Sequence, residues 1–206
     1  MLIDTHCHLD DERFRGELDS IVSNYENAGV ALAVSVGYDL ASSARVKALS
    51  ERFSSVYYAV GVHPDSCEEV TDSALGALKS LAEGEKCVAI GEIGLDYHWD
   101  AERKDAQKRA FIEQIRLAES LKLPISIHMR DATEDTVKIL QSERAHLKYG
   151  GVMHCFSGSR ETAQTVLDLG FYLSFAGPLT FRNAKNLPEI AAFVPNDRCV
   201  VETDSP

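Results

Sequence analysis

Two histidines one residue apart, His6 and His8 in MLIDTHCHLD, stand at the end of an apolar, β-rich run, Leu2–Cys7. Side chains in a strand alternate faces, so His6 and His8 point one way and Cys7 the other. Two imidazoles on one face make half of a metal site. A His-x-His pair arises often enough by accident to carry little alone. The weight comes from further ligand-type residues, each closing an apolar run: Glu92 in AIGEIGLDY, His128 in PISIHMR, His154 in GVMHCF and Asp204 in VVETDSP. Neutral imidazoles with two carboxylates suit divalent transition metals, and a carboxylate such as Glu92 can bridge two ions.

The elements that must position these residues are legible as an alternation. Apolar runs at Leu2–Cys7, Val30–Gly37, Val56–His63, Cys87–Leu95, Pro124–Met129, Val152–Phe156, Phe171–Ala176 and Cys199–Glu202 make eight candidate strands. From His8 to Asp204 is 196 residues over seven steps, about 28 per unit, a length that suits a strand plus a crossover helix. The intervening segments carry helical periodicity. Phe14, Leu18, Ile21, Val22 and Tyr25 lead to a cap at Gly29. Leu75, Leu78 and Leu81 precede Gly84, and Ala110, Phe111, Gln114, Ile115, Ala118 and Leu121 stop before Pro124. Val166, Leu167 and Leu169 precede Gly170, and a weaker pattern over 182–194 is interrupted by Pro188. Strands apolar on both faces and alternating with helices predict the α/β class: a parallel sheet closed into a (β/α)8 TIM-type barrel. All such strand ends ring one face, where barrel active sites sit. No linker or composition break divides the chain, so residues 1–206 read as a single domain. The chain stops at Pro206 with no helix to cover the eighth strand, and the expectation is a barrel lacking its last helix, a piece of a longer protein.

Composition narrows the class of function. A 45% hydrophobic and 26% charged chain is that of an ordinary globular domain. No apolar run approaches the ~20 residues that span a bilayer, and no signal peptide precedes the first strand, so a cytoplasmic protein without a membrane partner is expected. Five cysteines without a CxxC pair fit reduced thiols. By strand alternation, Cys7 and Cys155 face the helices and not the metal. The formal net charge of −11 argues against broad electrostatic binding to nucleic acid. It leaves open an enzyme whose cations reverse the local field.

The stretches IDTHCHLD, GVHP, GEIGLDYHW, LPISIHMRDA, MHCFSGS and ETDSP occur in that order over residues 3–206. With them the chain resembles the TatD family of metal-dependent deoxyribonucleases, within the amidohydrolase-like barrel superfamily. Members of that family continue for roughly another quarter of this length. The resemblance implies a phosphodiesterase, 3′–5′ exonuclease-like, that uses two divalent cations (Mg2+, Mn2+ or Zn2+) and acts on DNA, expected single-stranded. Its ligands carry over onto His6, His8, Glu92, His128, His154 and Asp204, with Glu92 bridging and Asp204 holding or deprotonating the attacking water. His63, His98 and Arg130 lie at or just past strand ends, within reach of a substrate phosphate, and Arg130 can bind phosphate through both guanidinium arms. Each also has a plain structural role open to it: His63 a turn before Pro64, His98 a solvated loop, Arg130 a partner for Asp131. The aromatics Tyr97, Trp99, Phe156, Phe175 and Phe181 either pack or stack on bases near the mouth. Two other functions stay open. One is an amidohydrolase-type enzyme of a small amide, lactone or ester, although strand four lacks the lysine that several such enzymes carbamylate between their metals. The other is a metal-binding barrel without catalysis.

Overall fold

A computed structural model describes residues 1–206 apart from Lys185 and the side chain of Glu26. Eight parallel strands follow the chain in unbroken spatial order: β1 (Leu2–Cys7), β2 (Val30–Val36), β3 (Val56–Val60), β4 (Cys87–Asp96), β5 (Ile125–Arg130), β6 (Gly151–Met153), β7 (Tyr172–Phe175) and β8 (Cys199–Val201). Helices α1 (Leu18–Asn27), α2 (Leu40–Arg52), α3 (Asp72–Ala82), α4 (Lys104–Leu121), α5 (Thr133–Ser142), α6 (Arg160–Asp168) and α7 (Leu187–Phe193) fill the crossovers. The fold is a nearly closed (β/α)8 barrel. Its main core lies between the strands and the helix ring, with Ile90, Ile93, Ile125 and Ile127 against Phe111, Ile115 and Leu140. No helix follows β8 among the described residues, and Val201 there is 48% exposed. No described helix is long and apolar enough to cross a membrane.

Local chemistry sets the helix starts. Asp39 accepts from the Ser42 amide to begin α2, Thr71 from Ala74 to begin α3, and Ser159 from Thr162 to begin α6, each satisfying an orphan donor of the first turn. Pro188 lies in the first turn of α7, where its missing N–H costs nothing, so it starts that helix and does not interrupt it. The pattern expected from Phe14 splits: Asp11 caps a 3-10 turn over Glu12–Phe14, Gly16 takes a left-handed φ of 85°, and α1 begins only at Leu18. Cys7 packs among Leu9, Val22, Ala33 and Val56 on the α1 side, as its strand face requires.

Several strand ends differ from the sequence expectation, and the differences bear on the site. β4 runs on to Asp96, so Glu92 is interior to its strand. β3 stops at Val60, β6 at Met153 and β8 at Val201, which leaves His63, His154 and Asp204 on the loops that follow. Cys155 therefore falls outside strand alternation and adopts φ 42°. Between Ile90 and Ile93 the β4–β5 register slips by one residue, so Gly91 and Glu92 form a bulge. The bulge turns the Glu92 amide onto the Gly37 carbonyl at 2.9 Å. A Cβ on Gly91 would lie 2.6 Å from Ser126 Cβ, and one on Gly94 would lie 2.0 Å from the His128 carbonyl. Only glycine fits at either flank of Glu92–Ile93.

The two ends of the sheet meet at a seam held largely by side chains. Asp4, 4% exposed, accepts from the Thr203 amide at 3.0 Å and from the Thr203 hydroxyl at 2.6 Å. It also accepts from the Tyr25 hydroxyl at 3.2 Å. Backbone bonds run alongside, Asp204 N–H to the His6 carbonyl at 2.9 Å and His8 N–H to the Ser205 carbonyl at 2.8 Å. Replacing Asp4 by alanine strands several part-buried donors that had a charged acceptor. Asp4→Ala should cost about 3 kcal/mol, a fall in Tm of about 6–12 °C for a chain of this size. Thermal melting of the two forms, both metal-free, checks it; a loss under 2 °C or so would show that the seam does not rest on this carboxylate.

Candidate metal centre

At the C-terminal mouth of the barrel the side chains of β1, β4, β5 and the loops after β6 and β8 converge on Glu92, which is 4% exposed. Its two oxygens face different groups. Oε2 is 3.4 Å from His6 Nε2 and 3.7 Å from His8 Nε2. Oε1 is 2.7 Å from His128 Nδ1 and 2.8 Å from His154 Nε2. Asp204 Oδ1 joins the first group, 3.9 Å from His6 and 3.7 Å from His8, with its side chain 36% exposed. The six residues picked out by strand-end position thus lie in one cluster.

The donor spacings fit cations. Ligands about 2.1 Å from a tetrahedral ion lie about 3.4 Å apart. His6 and His8 Nε2 are 3.3 Å apart, and the contacts of this pair with Glu92 and Asp204 span 3.4–3.9 Å. On the other side His128 Nδ1 and His154 Nε2 are 3.3 Å apart, and both lie at hydrogen-bond distance from Glu92 Oε1, contacts that an ion between them would replace. The far nitrogens strengthen the case. His8 Nδ1–H donates to the Val36 carbonyl at 2.9 Å, His128 Nε2–H to Asp96 at 3.0 Å and His154 Nδ1–H to Glu202 at 3.2 Å. A proton pinned there leaves the lone pair of the inward nitrogen free for an ion. Loop backbone completes the support: Asp96 Oδ1 takes the His98 and Trp99 amides, and Glu202 takes the Cys155 amide at 2.7 Å. Gln107 and Gln114, two turns apart on α4, clamp the Asp96 and Val62 backbones.

Of the remaining candidates, His63 enters the cluster. Its Nδ1 accepts from the Asp65 amide at 3.2 Å, capping the turn that Pro64 begins, and Nε2 lies 3.9 Å from Glu92 Oε1. Nδ1 also lies 3.3 Å from Asp65 Oδ2. His63 faces the site with Nε2 beside Glu92 and His128, three donors close enough to share an ion. It borders a cleft of about 380 Å³ that opens over Glu92 between His8, Tyr38 and Ser66. His98 sits on the rim, 42% exposed by side chain, with Nδ1 2.9 Å from Asp131. Arg130 lies over the Trp99 ring, 5.4 Å from its centroid, and does not pair with Asp131. Asp4, Asp96, Glu202 and the α4 glutamines are the supporting residues that the sequence pattern does not single out.

A barrel mouth of this composition defines a metal-dependent hydrolase. The sequence profile of the family described as TatD related DNase matches residues 3–206. The chain belongs to the TatD family. It is 46% identical over its whole length to the uncharacterized metal-dependent hydrolase YabD of Bacillus subtilis, covering 80% of that protein. It is 40% identical to the uncharacterized metal-dependent hydrolase YcfH of Escherichia coli, covering 77%. The crystal structure of YjjV, a TatD homolog from Escherichia coli, superposes with a TM-score of 0.92 at 32% identity, over 98% of this chain and 78% of that one.

Electrostatics tie the site to pH. Burial alone would raise the carboxyl of Glu92, but His154 and His6 nearby, with hydrogen bonds from His128 and His154, hold it well below the carboxylate range. Burial opposes charge on His154, yet Glu92 and Glu202 raise it well above 6.5. His6 moves down, driven by burial and then by His154. Stability from the His154 proton is complete below 6.5 and is lost as pH rises through its raised folded value; stability from ionised Glu92 is present above 4.5 and is lost as pH falls through its depressed one. Metal-free protein should therefore melt highest in mildly acidic buffer. A cation needs His154 deprotonated at Nε2, so its apparent affinity should rise with pH over the interval where the metal-free fold weakens. Melting with and without chelator at about pH 5.5 and about pH 8.5 tests both signs. Glu202→Ala should cut cation affinity by roughly 10–100-fold in chelator competition; an unchanged affinity would remove Glu202 from the support of His154.

Proposed function

We propose that this chain is a phosphodiesterase that removes nucleotides from single-stranded DNA, in the 3′–5′ exonuclease manner, with two divalent cations (Mg2+, Mn2+ or Zn2+). The reading rests on one observation: Glu92 turns its two oxygens to two separate imidazole pairs, as a carboxylate shared between two ions would. The family's description as a DNase supports the choice of bond. Bound cations supply the positive charge that attracts a phosphodiester into an acidic mouth and bring the pKa of a water toward ~7.

The chain's own residues divide the remaining work. Asp204, the most exposed carboxylate of the cluster, stands where it can hold a water against the His6–His8 side and accept its proton. His63 turns Nε2 toward the cleft, where it can meet a phosphoryl oxygen. Arg130 offers two parallel donors at the rim. Asp96 and Glu202 hold the His128 and His154 rings in register, so little reorganisation is left for the reaction.

Asp204→Asn should leave the fold intact and lower kcat by roughly 10²-fold or more, the scale of a lost general base. The assay is nucleotide release from a short single-stranded DNA with each cation, with circular dichroism as the check on folding. Near wild-type turnover would remove Asp204 from that role. Wild-type protein that holds metal, leaves DNA whole and cleaves a small amide or lactone would overturn the phosphodiesterase reading.

A further inference from the structure

Trp99 is 71% exposed at the barrel mouth, the most exposed aromatic side chain among the described residues. Packing does not account for its place. Its amide donates to Asp96 Oδ1 at 3.1 Å while the other oxygen of the same carboxylate holds His128 Nε2 at 3.0 Å. One carboxylate thus sets the position of the indole relative to the metal centre. His98 meets the ring edge-on, with centroids 4.7 Å apart, and is itself steadied by Asp131. The Arg130 guanidinium covers the ring at 5.4 Å. Arg130 lies two residues past His128 on β5, directly opposite Asp96 in the β4–β5 register. The indole therefore has an imidazole at right angles to it and a cation over it, with most of its surface in solvent.

Isolated among polar neighbours, Trp99 offers room for one flat group and not for a protein face. Of the other exposed aromatics, Tyr149 and Tyr172 lie at or just before strand starts, on the opposite end of the barrel, and Phe181 follows the short turn after β7. A largely exposed indole with a guanidinium against it is a pairing by which single-stranded nucleic acids are held: the base stacks and the cation takes the neighbouring phosphate. We infer that Trp99 stacks a nucleobase of the strand whose phosphodiester lies at Glu92, with Arg130 bridging the indole and that strand's backbone. The inference rests on the phosphodiesterase reading above. Every base has a π-face, so this contact sets affinity for unpaired strands and not sequence preference.

The chain has one tryptophan, so fluorescence excited selectively at tryptophan comes from Trp99 alone. Metal-loaded protein is titrated with a hydrolysis-resistant phosphorothioate hexathymidylate, and separately with an abasic strand of the same length and linkage. The expected result is saturable quenching by the thymidylate strand and little by the abasic one. In turnover of an ordinary thymidylate strand, Trp99→Ala should raise KM roughly tenfold, the scale of one lost base stack, with kcat little changed. Trp99→Phe, which keeps a flat face, should recover most of the loss. Equal quenching by both strands, or a Trp99→Ala KM like wild type while DNA is still cleaved, overturns the stacking role and leaves the phosphodiesterase reading standing. Base-dependent quenching in a protein that cleaves no phosphodiester does the reverse, keeping the stacking site and removing the reaction. Neither quenching nor cleavage removes both.

Discussion

Glu92 keeps a carboxylate almost wholly out of water, and the mouth of the barrel is arranged around the cost of doing so. An isolated buried carboxylate would take up a proton instead of staying charged. Here four imidazole rings from β1, β5 and the loop after β6 surround it, and two of them carry carboxylates of their own behind them. Removing any layer leaves the one inside it under-compensated. The arrangement explains why so acidic a chain concentrates its histidines on one face: the rings are what permits the carboxylates to approach one another. It also explains why the site reads as a container for cations, since the imidazole protons and divalent ions are alternative ways to satisfy the same negative charge.

Backbone geometry puts Glu92 in reach of both imidazole pairs. A regular β4 would alternate its side chains between core and interior at a fixed height. The bulge at Gly91–Glu92 advances one residue against β5 and ties the strand to Gly37 across the barrel. The flanking glycines are there because Ser126 and the His128 carbonyl come too close for any side chain. On the outside, α4 contributes Gln107 and Gln114, whose amides hold the end of β4 at Asp96 and the loop after β3 at Val62. Helix, strand and ligand are thus coupled by polar contacts as well as by the apolar core.

Much of this was legible in the residues. Eight apolar runs placed all eight strands to within a few residues, and ligand-type residues at their ends converge as their positions implied. Harder to see were features set by partners remote in sequence. Asp96 and Glu202 look like ordinary strand-end acids until His128 and His154 are placed beside them, 32 and 48 residues away. Asp4 has no visible purpose without Thr203, 199 residues on. The helix α2 lacks a clear apolar stripe because its inner face is built from Ser42, Ser43, Val46 and Ser50, small residues that fit close to β3 without looking hydrophobic. Gln114 kept its place in the helical pattern of α4 for a reason the pattern does not contain, a pair of hydrogen bonds to Val62.

The seam gives the site a position in the order of assembly. His6 and His8 come from the first strand and Asp204 from just after the last, and they meet only where β1 and β8 are joined through Asp4 and Thr203. Nearly the whole chain forms the loop between them, so bringing these ligands together closes a loop of about 200 residues. An ion held between them would act as a clasp across the one joint of the sheet where the two ends of the ring meet. Loading the centre would thus reinforce a closure that Asp4 and Thr203 already make.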